Sequence, residues 1–300
     1  MSRKLLINAQ RPEEVRVAIV NEWVLDQYEV STSDTGLYRG NIYRGTVASI
    51  QPSLDAAFVE FGAEKHGLLR AEDVVPAAAH RKVDEGGRRP RIDHLLEKGR
   101  PILVQVVRDG IAAKGALLTT NLSIAGRYLV LMPYEVTRGI SRKLEDSETR
   151  GVMRERLDQL DLPEGFGVIA RTNAGDQPKS SLNRDLNALL RLWKKVRSEA
   201  STGKGSRLLY SDQDLILQVL RDSLDASIDE VLVDDDDAHD KVRAYMGTFM
   251  PRAKTRLTRY SDRMPLFSHF QLEEKIDRIA RLSLDQDIRS ISGTTSWLLI

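Results

Sequence analysis

The chain has 300 residues, no cysteine, 41% hydrophobic side chains, and 45 basic against 44 acidic groups. The lack of cysteine excludes disulfide frameworks and Cys-ligated zinc or iron–sulfur centres. No apolar run approaches the roughly 20 residues of a membrane span and the N-terminus has no signal-peptide core, so a cytoplasmic chain of about two domains is expected.

The formal net charge of +1 carries no nucleic-acid signal by itself. Its distribution does: residues 36–200 hold 27 basic and 21 acidic side chains, against 18 and 23 on the two flanks. A middle of +6 between flanks of −5 permits a polyanionic partner without requiring one.

Residues 4–9, 14–20 and 23–30 read as strands, the second by its period-two alternation of Val15, Val17 and Ile19. Asn21-Glu22 fits a hairpin tip, and residues 31–38 read as a polar linker. From 41 to 120 the texture is all-β. Strand candidates at 47–50, 56–61, 102–107 and 116–119 surround an Arg-rich segment at 76–100, read as a long exposed loop or lid with a short helical end. A closed five-stranded OB-type barrel of about 80 residues fits this texture.

Helical periodicity returns after 120. Asp146 or Ser147 is placed to cap a helix carrying Val152, Met153, Leu157 and Leu160, and 167–170 reads as a buried strand. A second helix over about 181–199 sets Leu182, Leu186, Leu189 and Trp193 on one face and Arg184, Arg191, Lys194 and Lys195 on the other. Residues 201–208 read as a linker. Ser211-Asp212-Gln213-Asp214 precedes a further helix, strands at 228–233 and 254–260 bracket another near 238–248, and a last helix spans 269–284. The run Asp234-Asp235-Asp236-Asp237 reads as a solvated turn with a helix N-cap, not a metal site.

No phosphate-binding glycine loop, nucleophile elbow or His-x-x-x-His spacing is present. The residues alone therefore single out no active site. They do offer two binding constellations. On the barrel, Tyr43, Phe58 and Phe61 are interleaved with Arg44, Lys65, Arg108 and Lys114, the mixture of stacking faces and cations that single strands require. Phe58 and Phe61 have opposite parity, and either fits a barrel core equally well. The second constellation is Arg171-Thr172 at the exit of strand 167–170: a guanidinium fork and a hydroxyl suited to a terminal phosphate, or a salt bridge and a turn hydroxyl.

Asn41-Ile42-Tyr43-Arg44-Gly45 and the stretch from Pro52 through Ala56-Ala57-Phe58-Val59-Glu60-Phe61-Gly62 to Gly67 resemble the S1 RNA-binding domain of the ribonuclease E/G family. The resemblance continues through Lys114-Gly115-Ala116, Ala125-Gly126-Arg127-Tyr128, Gly139-Ile140-Ser141-Arg142-Lys143, Leu162-Pro163-Glu164-Gly165, Arg171-Thr172 and Pro265-Leu266-Phe267-Ser268-His269-Phe270. It covers about residues 3–283 in the family's order.

The resemblance implies an α+β fold: a discontinuous RNase H-like scaffold (1–35 and 215–284) without catalysis of its own, into which an S1 barrel (36–120) and a 5′-sensor region (121–214) are inserted. It implies single-stranded RNA as partner. Tyr43, Phe58, Phe61, Lys65, Arg108 and Lys114 are the expected S1 contacts, and Gly126, Val130, Arg171 and Thr172 the expected sensor of a 5′-monophosphate. A second aromatic of some S1 domains corresponds here to Leu68. Family members cut RNA with Mg²⁺ held by two aspartates of a DNase I-like domain. Residues 285–300 diverge from the Ser-Gly-Gly pattern that leads into it, and Asp285 and Asp287 are poor substitutes for those carboxylates. No catalytic or metal residue is therefore assigned within the 300 residues, which are expected to bind RNA without cutting it. The zinc link of the family needs cysteines this chain lacks, and homo-oligomerisation stays open. The alternatives are a non-catalytic RNA-binding protein built from the same modules, and an S1-type translation factor.

Overall fold

The structure is a computed structural model and describes residues 2–11, 13–32, 38–81, 90–111, 114–251, 253–284 and 294–298. The chain divides into two units, one of residues Met1–Leu37 with Asp214–Ile300 and one of Tyr38–Gln213. The first opens with an antiparallel meander of β1 (Arg3–Arg11), β2 (Glu14–Asn21) and β3 (Val24–Thr32). The β2–β3 turn falls at the expected hairpin tip, where Glu22 takes a left-handed φ of 57°.

The second unit begins with β4 (Ile42–Gln51), β5 (Ala56–Glu60), β6 (Gly67–Arg70), β7 (Pro101–Arg108) and β8 (Leu117–Thr119). They pair in the order β4-β5-β6-β8-β7, and β7 pairs back onto β4, which closes a five-stranded barrel of OB type. Closure pairs β4 and β7 with each other and so removes most of the exposed edge an open sheet would have. Gly67 is required by crowding there, since a Cβ would lie 2.5 Å from the Leu118 side chain. Val47, Val59, Leu69, Val104 and Leu118 fill the interior. The short helical end expected in 76–100 is α1 (Ile92–Leu95), which buries Ile92 and Leu95 in the barrel core, while Arg88 and Arg89 lie outside the described residues.

The barrel leads into a four-stranded sheet, β9 (Ile124–Ala125), β10 (Leu129–Met132), β11 (Arg138–Ile140) and β12 (Gly167–Ala170), in the order β11-β12-β10-β9. Buried Gln105 of β7 stitches the two together, donating to the Gly40 and Ser123 carbonyls at 2.7 and 2.8 Å and accepting from the Ser123 amide. Two helices pack on this sheet, α2 (Ser147–Asp158), capped by Asp146 through the Thr149 amide, and α3 (Lys179–Ser201). Met153 and Leu157 face inward as expected, but Val152 is exposed. Part of the expected linker at 201–208 is instead the start of a strand, β13 (Arg207–Tyr210), whose Leu208 and Tyr210 pair with Tyr43 and Ile42 on β4.

The first unit resumes with α4 (Leu215–Ser223), β14 (Glu230–Val233), α5 (Asp236–Phe249), β15 (Arg256–Arg259), α6 (Leu266–His269), α7 (Glu273–Leu284) and β16 (Thr294–Leu298). Its sheet runs β15-β14-β1-β2-β3-β16, with β14 parallel to β1 and β15 parallel to β14. Leu5 and Ile7 face α4 and α5, whereas Leu6 packs under Phe267 and Leu272. Burial on both faces explains the unbroken apolar run of β1. Asp235 of the four-aspartate run caps α5 through the Ala238 amide at 2.8 Å, the role the sequence predicts for one of the four. The single expected helix at 269–284 is divided, because Gln271 adopts a left-handed φ of 55°. Asp285 and Asp287 lie outside the described residues, and 294–298 pair in register with β3.

Candidate nucleic-acid interface

In a small closed barrel, strand parity decides which side chains reach a ligand. Phe61 and Tyr43 point inward at 1% and 6% exposure, with rings edge to face at 5.1 Å. The Tyr43 hydroxyl accepts from Asn41 Nδ2 at 3.2 Å, and burial pushes its phenol pKa up, with the Asn41 bond opposing. Both rings are barrel core and present no face for stacking a base, which corrects the expectation that they are RNA contacts. Arg44 is likewise committed within the protein, donating to the Ala200 and Gly205 carbonyls at 3.0 and 2.7 Å.

Phe58 has the opposite parity and is half-buried on the outside. Directly paired residues share one face of a sheet. The register therefore lays out one continuous outer row: Ser49 opposite Phe58, Phe58 opposite Leu68, Leu68 opposite Leu117, and Leu117 opposite Arg108. Ser49, Leu68 and Leu117 are half-buried and Arg108 is exposed. Lys65 and Lys114 occupy two exposed loops that lie side by side, where the Leu68 amide donates to the Ala116 carbonyl at 2.7 Å and Gly115 sits against the His66 carbonyl. The register thus brings Phe58 and Arg108 to one face, and the loops that carry Lys65 and Lys114 adjoin each other. An aromatic edge flanked by cations can stack a planar base while it neutralises phosphates.

The second constellation assembles where β10 meets β12. Arg171 follows β12, and its amide donates to the Tyr128 carbonyl at 2.8 Å. Its Nη1 donates to the Gly126 carbonyl at 2.8 Å and the Arg127 carbonyl at 3.3 Å. Gly126 and Arg171 are therefore in direct contact. Thr172 is exposed and opens a single 3-10 turn over Thr172–Ala174, anchored by buried Ala174. Val130 is half-buried on β10, paired with Ile169 and Ala125. A guanidinium oriented by two carbonyls is a planar, permanently charged group of the kind that pairs with anions.

One residue that matters here escapes the sequence reading. Asp185 of α3 is 6% exposed, and its carboxylate accepts from the amides of Arg127 (3.1 Å), Tyr128 (2.8 Å) and Leu129 (2.9 Å). Burial raises its pKa, while the three amides and the nearby Arg171 charge oppose the rise. Its signal was present: an acid three residues after Leu182 and one before Leu186 sits on the apolar stripe of the helix. Gly126 has to lack a side chain, since a Cβ would lie 2.6 and 2.8 Å from the two Asp185 carboxylate oxygens.

Among the described residues, no group of three or more His, Asp or Glu is placed to hold a metal ion, and no helix is long and apolar enough to cross a membrane.

The sequence model of the Ribonuclease E/G family matches residues 123–287. Ribonuclease E of Haemophilus influenzae is 34% identical over 292 residues, covering 97% of this chain and 31% of that protein. Ribonuclease G of Escherichia coli K12 is 31% identical over 298 residues, covering 98% of this chain and 59% of that protein. A putative ribonuclease E of Buchnera aphidicola subsp. Baizongia pistaciae is 31% identical over 281 residues, 93% of this chain and 68% of its own length. The chain spans about a third of the length of its ribonuclease E relative from Haemophilus. With a family match over more than half its residues and identity of this order along nearly its whole length, the chain belongs to the ribonuclease E/G family.

Proposed function

We propose that these 300 residues form the RNA-engaging part of a ribonuclease E/G-type endoribonuclease that acts on single-stranded RNA and senses a 5′-monophosphate. The barrel is read as an S1 domain, with Phe58 stacking a base and Arg108, Lys65 and Lys114 meeting phosphates. Arg171 and Thr172, with the backbone around Gly126 and Val130, are read as the 5′-phosphate pocket. The sheet of the first unit, an antiparallel meander extended by parallel β14 and β15, is read as an RNase H-like scaffold. RNA engagement rests on this chain's own side chains, and Mg²⁺ belongs to the family's phosphodiester chemistry, where it activates water.

The observation that carries this reading is the outer row from Ser49 to Arg108, which gathers a stacking ring and a cation on one barrel face. It is tested by fluorescence anisotropy with AU-rich single strands bearing a 5′-monophosphate or a 5′-hydroxyl. Both should bind in EDTA, the monophosphate more tightly. Failure to bind either strand would overturn the reading, and equal affinity for both would remove its sensor half.

A further inference from the structure

Asp185 and Arg171 lie on opposite sides of the same short stretch of backbone. A trans peptide is planar, with its N–H and C=O pointing in opposite directions. The amides of Arg127, Tyr128 and Leu129 all point at the Asp185 carboxylate. Their three peptide planes therefore turn the carbonyls of Gly126, Arg127 and Tyr128 the other way. Those are the three carbonyls that receive Arg171: two take its Nη1 and the third its amide.

We infer that Asp185 is the positioning residue of the 5′-phosphate pocket, acting on Arg171 through three aligned peptide groups. The inference rests on the sensor reading of Arg171 given above. Asp185 never meets RNA itself. By gathering three consecutive amides, it leaves the carbonyl ends of the same peptides as a cradle for a guanidinium. The cradle fixes the plane and direction of the guanidinium before the phosphate arrives. Pre-arrangement of this kind lowers the ordering cost of binding and sharpens selectivity for the group that fits. Asp185 is rooted in the 23-residue helix α3, so the aim of Arg171 is set by a rigid element and not by its own loop. Gly126 completes the device: it allows the backbone to close on the carboxylate.

A carboxylate that only braced the fold would affect stability, whereas one that aims Arg171 governs discrimination between RNA ends. The experiment compares wild type, Asp185→Asn, Gly126→Ala, Arg171→Ala and the double variant Asp185→Asn/Arg171→Ala. Each is assayed well below its own melting temperature, with 5′-monophosphate and 5′-hydroxyl strands. Asparagine keeps the shape but directs an N–H at backbone amides, so the preference for the monophosphate should fall about tenfold, the scale of a lost charged hydrogen-bond set. Affinity for the 5′-hydroxyl strand should stay unchanged, because the barrel is untouched. Gly126→Ala should give the same selective loss from the other side of the contact. The double variant should lose no more preference than Arg171→Ala alone, as coupled residues do. If wild type itself shows no preference, the sensor reading fails. If wild type prefers the monophosphate and Arg171→Ala abolishes this while a folded Asp185→Asn retains it, the sensor stands and the role of Asp185 is overturned.

Discussion

Phe58 stands directly opposite Leu68 across the β5–β6 pairing, and both are half-buried on the outer face of the barrel. Paired side chains on one face are close enough to present a shared surface. An aromatic at position 68 would extend the platform begun by Phe58 without entering the core, which parity reserves for Ala57 and Leu69. Leu68→Tyr should therefore tighten single-strand binding by about 1–3 kcal/mol, the worth of one stacked base. Titrations with single strands of increasing length check it; unchanged affinity in a protein of unchanged melting temperature would show that RNA does not cross this row.

Phe58 and Phe61 are three residues apart and have opposite fates. Phe58→Ala should cost about 1–3 kcal/mol of single-strand affinity with only a small loss of stability. Phe61→Ala empties a site in the barrel core and should cost about 3–5 kcal/mol of stability, with affinity per folded molecule preserved. Thermal melts and binding measured on the same preparations separate the two. Reversal of the pattern would contradict the assigned inner and outer faces.

Much of this architecture is legible in the amino-acid sequence. Alternation in Val15, Val17 and Ile19 marks β2, and the apolar stripe from Leu182 to Val196 marks α3, because periodicity follows burial directly. What could not be read was long-range pairing. Nothing local tells Tyr43 and Phe61 from Phe58; the closure of β7 onto β4 decides which of them the barrel swallows. Leu208 looks like a linker residue until β4 supplies an edge for it. The Arg171-Thr172 pair was visible, but Asp185 becomes meaningful only once α3 is laid against the backbone at 127–129.

The cations of the barrel face lend themselves to a salt test. Arg108 and Lys114 are both exposed, and Arg108 ends the outer row that carries Phe58. For single strands, each phosphate neutralised adds about 0.7 to the slope of log affinity against log salt. Arg108→Ala and Lys114→Ala should each reduce that slope by about this amount and weaken binding to all sequences alike. A slope that does not move in the double variant would exclude both side chains from the RNA path.

Arg171 tests geometry against charge. Its Nη1 is engaged by the Gly126 and Arg127 carbonyls, which fixes the plane of the fork. Lysine keeps the charge but has one ammonium to serve both the carbonyls and a phosphate. Arg171→Lys should lose most of the preference for a 5′-monophosphate, as Arg171→Ala does. Full retention of preference by the lysine variant would mean that the site reads charge alone.

The first unit carries a pH dependence of definite sign. Glu230 at the start of β14 is 7% exposed. Burial acts to raise its pKa, but Lys4 at 2.9 Å and Thr258 at 2.8 Å, together with the Arg256 guanidinium at 3.0 Å, outweigh this and hold it below the ordinary 4.5. A carboxyl depressed in the folded state stabilises that state above its unfolded pKa, and the stabilisation is lost as pH falls towards the folded value. Stability should therefore decline as pH drops below about 4.5, part of it through this one group. Glu230→Gln removes the titration and leaves Lys4 and Arg256 without their shared anion; Arg256 is 74% exposed and hydrated, so the cost at neutral pH should be modest, about 1–2 kcal/mol. Melting curves of both proteins from pH 7 down to pH 3 should converge as the acid limb is crossed, because protonated Glu230 and glutamine carry the same charge. Curves that stay parallel throughout would show that Glu230 titrates alike in the folded and unfolded chain.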